Sequence, residues 1–169
     1  ELCDFKNPKA SVTAIIIREG KVLLLKRSED PFKGEWDFPG GYVNERESLE
    51  EAMEREITEE LRLIPKQMDL IGGFSGTASY KGKEFPIMNF AYLVDIGEEK
   101  ILLNEENSEY EFKFLHQIDK VAFDSNIDIL REIKYLFKFD LRRVKDLVSQ
   151  LDDSAKVDEQ SLYRAVLNG

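Results

Sequence analysis

The stretch from Ser48 to Leu61 leaves this chain the least freedom. Its composition is helical, Ser48 is a natural N-cap, and Glu51 stands where a capping box needs its second partner. On a helix turning roughly 100° per residue, Met53, Ile57 and Leu61 form an apolar stripe that another element must cover. Glu56, Glu59 and Glu60 share a narrow neighbouring face, at spacings i, i+3 and i+4. One side of the helix is therefore anchored, and three carboxylates project beside the anchor.

The flanking sequence supplies sheets for that stripe. Val12–Arg18 is apolar and β-branched, Glu19-Gly20 is a turn, and Lys21–Lys26 returns as a second strand. Ser28–Glu35 is a loop, Trp36–Phe38 a short strand, and Pro39-Gly40-Gly41 stops it. Asp69–Tyr80 and Pro86–Asp95 read as a hairpin about Lys81-Gly82-Lys83. Glu111–Leu115 is a later strand, and Ser125 is expected to cap a helix through Ile127, Leu130, Ile133 and Leu136. Strands and helices in this order give a mixed α/β domain with helices flanking the sheet. We place that domain at 1–138. At 139–169 follows a helical extension, with Leu141, Val144, Leu147 and Leu151 at helical spacing and a short last helix from near Asp158.

Charge narrows the function. The net charge of −10 argues against a duplex nucleic-acid binder, which needs a basic face. It also repels an anionic small molecule unless cations mask the site. The longest apolar runs, Ala14–Ile17 and Val22–Leu25, are strand-length, so no membrane span is expected. Cys3 is the single cysteine, and a reducing cytoplasm is the expected setting.

The carboxylates of the helix repel one another, and a hard divalent cation removes that cost. Mg²⁺ favours oxygen ligands, keeps waters and bridges to substrate phosphates, with Mn²⁺ as the alternative. Arg55 can hold a carboxylate by a bidentate pair, and Pro39-Gly40-Gly41 lets backbone approach a metal or phosphate closely.

Read from Gly41, the order is Gly, five residues, Glu47, seven residues, Arg55-Glu56-Ile57-Thr58-Glu59-Glu60, one residue, Arg62-Leu63. This resembles the Nudix box, with Arg62 where the family has its second glycine. Trp36–Gly40 and Asn7-Pro8-Lys9 are similar to the family as well, and the resemblance runs from about residue 8 to 138. It implies an α/β/α sandwich with a mixed sheet and a metal-dependent hydrolase of nucleoside diphosphates linked to another group. By position it implies Glu56, Glu59, Glu60 and the Gly40 carbonyl as metal ligands, with Arg55 and Glu47 orienting them. In the family that glycine ends the helix in a left-handed conformation, where an arginine costs about 1 kcal/mol, so a local change in the helix end is expected at Arg62.

For the group that takes the proton of the attacking water, the resemblance leaves a glutamate of the box or one before a late strand, where Glu109 aligns best. His116, the only histidine, is read as a boundary residue. Phe32, Trp36, Phe74, Tyr80 and Phe85 are the aromatics that could stack on a base, Tyr80 first by its place at a hairpin end. Arg27, Lys26 and Lys33 could meet phosphates. The expected partner is a small nucleotide: ADP-ribose, NADH, a dinucleoside polyphosphate, a nucleotide sugar or a (d)NTP. The competing reading is a Nudix-like regulatory domain that binds a nucleotide without cleaving it. The helical tail could pack on its own domain or mediate a homodimer.

Overall fold

The computed structural model describes residues 7–80, 82–138 and 158–168, with the side chain of Tyr80 outside that set. Two sheets lie side by side between two layers of helix. The first sheet runs β5 (Gly40–Tyr42), β1 (Lys9–Ile15), β7 (Lys83–Asp95), β6 (Gln67–Tyr80). It is mixed: β1 lies parallel to β7 and antiparallel to β5. In the second sheet β3 (Lys21–Arg27) pairs with β2 (Ile17–Arg18), β4 (Trp36–Asp37) and β8 (Asn107–Phe114).

Alternation along the strands makes two cores. Val12, Ala14, Leu23, Leu25, Tyr92 and Val94 face α1 (Leu49–Leu61) and bury Met53, Ile57 and Leu61. Ile15, Val22, Leu24, Ala91 and Leu93 face the other way, onto Ile129, Leu130 and Ile133 of α2 (Asp124–Leu136). A side-chain period of two therefore sorts one strand's apolar residues into both layers. This is the expected α/β/α sandwich with a mixed sheet. Among the described residues no helix is long and apolar enough to cross a membrane.

The capping box is present: Ser48 Oγ accepts from the Glu51 N–H at 3.1 Å, and Glu51 Oε2 accepts from the Ser48 N–H at 2.8 Å. Arg62 ends α1 at φ 58°, ψ 35°, its N–H donating to the Thr58 carbonyl at 3.1 Å. The arginine thus takes the left-handed conformation that glycine accepts more easily. Ser125 does not cap α2. It lies inside the first turn, where its hydroxyl accepts from Asn89 Nδ2 at 3.1 Å, while Phe123 stands at the N-cap without a side-chain bond.

Of the tail, Leu141 to Leu151 lies outside the described residues. The last helix, α3 (Glu159–Asn168), begins where expected, with Asp158 Oδ2 accepting from the Ser161 N–H at 3.1 Å. It packs on its own domain. Tyr163 is fully buried against Phe137, and Glu159 Oε1 accepts from the Gly20 N–H in the β2–β3 turn at 2.9 Å.

Candidate active site

The apolar stripe of α1 fixes its rotation, so Glu56 and Glu60 face the Gly40–Tyr42 strand, and Glu59 stands beside them at Arg55. Gly40 sits at φ 148°, and a Cβ there would fall 2.1 Å from the Val12 carbonyl oxygen, so only glycine fits. At Gly41 a Cβ would fall 2.3 Å from Glu56 Oε1. The strand and the carboxylates are thus pressed together with no room for a side chain between them.

Glu60 is the innermost of the three. Its Oε2 accepts from the Gly40 N–H at 2.9 Å and its Oε1 from Asn107 Nδ2 at 3.1 Å. Burial pushes its carboxyl up to about 8, against the pull of those two donors and with the help of the Glu56 and Glu106 charges. Burial also raises Glu56, which the Arg55 guanidinium partly offsets. Glu59 is the open member, with 54% of its side chain exposed.

Arg55 ties the set together. Its Nε and Nη2 grip Glu47 at 2.7 and 3.0 Å, Nη2 also donates to the Tyr42 carbonyl at 2.9 Å, and Nη1 reaches Glu56 at 2.6 Å and Glu59 at 3.4 Å. The two-pronged grip on Glu47 sets the plane of the guanidinium. Glu47 is itself held by the Asn44 N–H at 2.8 Å. The last carbonyls of α1 are met by the loop before β8, where the Leu102 N–H donates to Leu61 and the Asn104 N–H to Glu60.

Gly40, Glu47, Arg55, Glu56, Glu59 and Glu60 are therefore neighbours. Among the described residues no three acidic or imidazole groups already converge on one point, because Arg55 stands between Glu56 and Glu59 and Glu60 is turned to Gly40. The donor set still fits a hard divalent ion: it offers oxygen only, it is partly buried, its charges repel one another, and burial raises the proton affinity of Glu56 and Glu60.

The other expected residues scatter around this centre. Glu109 is half exposed and ion-paired with Lys26 at 2.9 Å. Arg27 lies 5.0 Å from the Phe123 ring centre, and its Nε donates to the Pro31 carbonyl at 2.8 Å. Phe74 is partly buried against the α2 core. Tyr80 pairs by its backbone with Lys83, its side chain lying outside the described set. His116 stacks on Phe114 with ring centres 5.6 Å apart.

Sequence reasoning missed Asn107, which holds Glu60, and Glu106, whose charge reaches Glu56 and Glu60. It also missed a buried polar chain beneath the strand. Thr13 Oγ1 lies 3.0 Å from Asn89 Oδ1 and 3.1 Å from Asn126 Oδ1, Asn89 Nδ2 donates to Asn126 at 2.9 Å, and Asn126 Nδ2 donates to Asp37 at 2.7 Å. Burial pushes Asp37 up to about 7. The available signal was phase: Thr13 and Asn89 occupy positions whose neighbours along the strand, Ile15, Ala91 and Leu93, are core.

Comparison with known proteins identifies the family. The family model for the NUDIX domain matches residues 7–140. An ADP-ribose pyrophosphatase from Methanocaldococcus jannaschii is 35% identical over 71% of this chain and 70% of its own length. An RNA pyrophosphohydrolase from Haemophilus influenzae (strain PittEE) is 39% identical, over 41% of this chain and only 35% of its own length. The crystal structure of a MutT NUDIX hydrolase from Burkholderia pseudomallei superposes with a TM-score of 0.66 at 25% identity, covering 75% of this chain and 98% of that one. The chain belongs to the Nudix hydrolase family.

Proposed function

We propose that this enzyme hydrolyses the diphosphate linkage of a nucleoside diphosphate derivative, with ADP-ribose the first candidate and Mg²⁺ the working ion. The observation that carries the reading is the pairing of two buried, proton-hungry carboxylates, Glu56 and Glu60, with an open one, Glu59, on one helix face against a side-chain-free strand. Similarity to the Methanocaldococcus ADP-ribose pyrophosphatase supports the substrate class.

A divalent cation held by Glu56, Glu59 and Glu60 would polarise a phosphate oxygen and acidify a bound water. The protein's own part is orientation. Asn107 and the Gly40 N–H fix both oxygens of Glu60, and Arg55 fixes Glu56 while Glu47 fixes Arg55. Glu59, open to solvent, would take the proton of the attacking water through the oxygen not turned to the cation. Glu109 would have to leave Lys26 to do the same.

The test is phosphate release from a panel of nucleotides in a phosphatase-coupled assay, with and without Mg²⁺, beside Glu59→Gln and Glu60→Gln. Mg²⁺-dependent turnover of ADP-ribose, reduced at least about 100-fold in either variant, is the expected result. Tight nucleotide binding with no turnover of any panel member would replace the hydrolase by a nucleotide-binding regulator.

A further inference from the structure

Strand β5 has two faces. Gly41 turns toward Glu56, so Tyr42, one residue on, turns its side chain to the opposite side, the side of α2. There its ring is 45% exposed and stands 6.3 Å from the Phe85 ring, tilted by 43°. Lys9 Nζ lies 5.8 Å from the centre of one ring and 5.5 Å from the other. The charge of Arg27 also reaches the Tyr42 hydroxyl. In a chain of net charge −10, a lysine beside an open aromatic pair, with the charge of Arg27 reaching it, forms a local exception suited to an anion that carries a ring.

Two further observations fix what the pair is for. The backbone of Tyr42 belongs to the carboxylate site, since its carbonyl accepts from Arg55 Nη2 at 2.9 Å. A group stacked on the ring is thus joined to the reacting diphosphate across the thickness of one strand. Directly beside Tyr42 in the sheet, and on the same face, lies Ser11. It is only 8% exposed, and among the described residues its hydroxyl has no hydrogen-bond partner. Buried hydroxyls are normally paired, and an unpaired one lowers stability. The residue gains nothing for the fold that alanine would not give.

We propose that Tyr42 and Phe85 form the platform on which the nucleobase of the substrate stacks, with Lys9 at its edge, and that Ser11, beside Tyr42 in the sheet, pairs with the polar edge of the stacked base. This rests on the reading that the substrate is a nucleoside diphosphate derivative, and it places specificity on the face of β5 opposite to the chemistry.

AMP and ribose 5-phosphate test it, because they differ in the base alone and are stable products of the expected reaction. Calorimetric titration of the wild-type protein should show AMP binding at least about 10-fold tighter than ribose 5-phosphate. Tyr42→Ala and Phe85→Leu should erase that preference, and Tyr42→Phe should keep it. Ser11→Ala should weaken AMP several-fold while its Tm stays level or rises. Equal binding of both ligands by the wild type would overturn the proposal. So would a preference that survives in Tyr42→Ala, or a Ser11→Ala variant that binds AMP unchanged. The hydrolase reading is judged separately by turnover of the wild-type protein: a preference for AMP without turnover would leave the platform standing and remove the reaction.

Discussion

Asp37 offers a stability test that isolates one buried charge. Its carboxyl is almost fully buried and accepts from Asn126 Nδ2 at 2.7 Å. Burial lifts it from an ordinary 3.8 to about 7, even though Asn126, the Phe38 N–H and the Arg27 charge all favour the ionised form. The folded carboxyl therefore holds its proton more tightly than the unfolded one. Folding takes up a proton between those two values, so stability falls as pH rises from 3.8 to about 7 and is level above. At about 1.4 kcal/mol per pKa unit, the raised pKa costs on the order of 4 kcal/mol at about pH 8, where Asp37 is ionised in both states, and about 2 kcal/mol at about pH 5, where folding must take up its proton. Asp37→Asn does not titrate. Its amide oxygen can still accept from Asn126, while its NH₂ group faces a backbone donor, a penalty of about 1–3 kcal/mol that does not vary with pH. Relative to wild type, the variant should thus gain about 2–3 kcal/mol on going from about pH 5 to about pH 8, whatever its absolute stability. Urea midpoints of both proteins at both pH values would read this as a relative shift of about 1 M or more. A separation that is the same at both pH values would mean that Asp37 is ionised throughout and that the buried chain stabilises the anion far better than its geometry implies.

Two substitutions probe the box itself. Arg62→Gly should raise stability by about 1 kcal/mol, since Arg62 holds φ 58° without a partner that needs its side chain for the turn; thermal unfolding should move up by a few degrees with kcat unchanged. Gly41→Ala places a Cβ 2.3 Å from Glu56 Oε1, where a flexible carboxylate can swing away; the protein should fold, but Mg²⁺ affinity by calorimetry and kcat/KM should each drop at least about 10-fold. Gly41→Ala with unchanged ion binding would show that Glu56 is not held where the ion sits.

Legibility in the sequence followed the range of each interaction. The capping box, the apolar stripe of α1 and the carboxylate triplet are all set within a few residues, and each stands where local rules put it. The end of α1 differs from expectation: the box predicts a local change at Arg62, yet the arginine keeps the left-handed conformation, at φ 58° and ψ 35°. The cap of α2 failed because the deciding contact is not local. Ser125 has the chemistry of an N-cap, but Asn89, on a strand distant in sequence, donates to its hydroxyl, and the N-cap falls two residues earlier, at Phe123. A tertiary partner overrode a local preference.

The same logic separates what was seen of the site from what was missed. Glu60 is recognisable from its helix, yet what makes it unusual is the pair of donors that reach it from Gly40 and Asn107, on two other elements. Neither contact has a spacing that sequence could reveal. Asp37 and Ser11 are more instructive still. Both lie in strands, at positions where an apolar residue would stabilise the fold, and both carry a polar group that the fold serves poorly: one is buried and raised in pKa, the other buried and, among the described residues, unpaired. Local patterning and global stability disagree at such positions, and disagreement of that kind collects where a protein does something besides fold. Asp37 anchors the chain under the Pro39-Gly40-Gly41 strand on the α2 side, and Ser11 lies beside Tyr42 on the same side. The carboxylates occupy the other side. The strand from Gly40 to Tyr42 is therefore a partition, with charge for the reaction on one face and a polar, aromatic surface for recognition on the other. Its residues fit that division: Gly41, with no side chain, against Glu56, and Tyr42, with a large one, away from it.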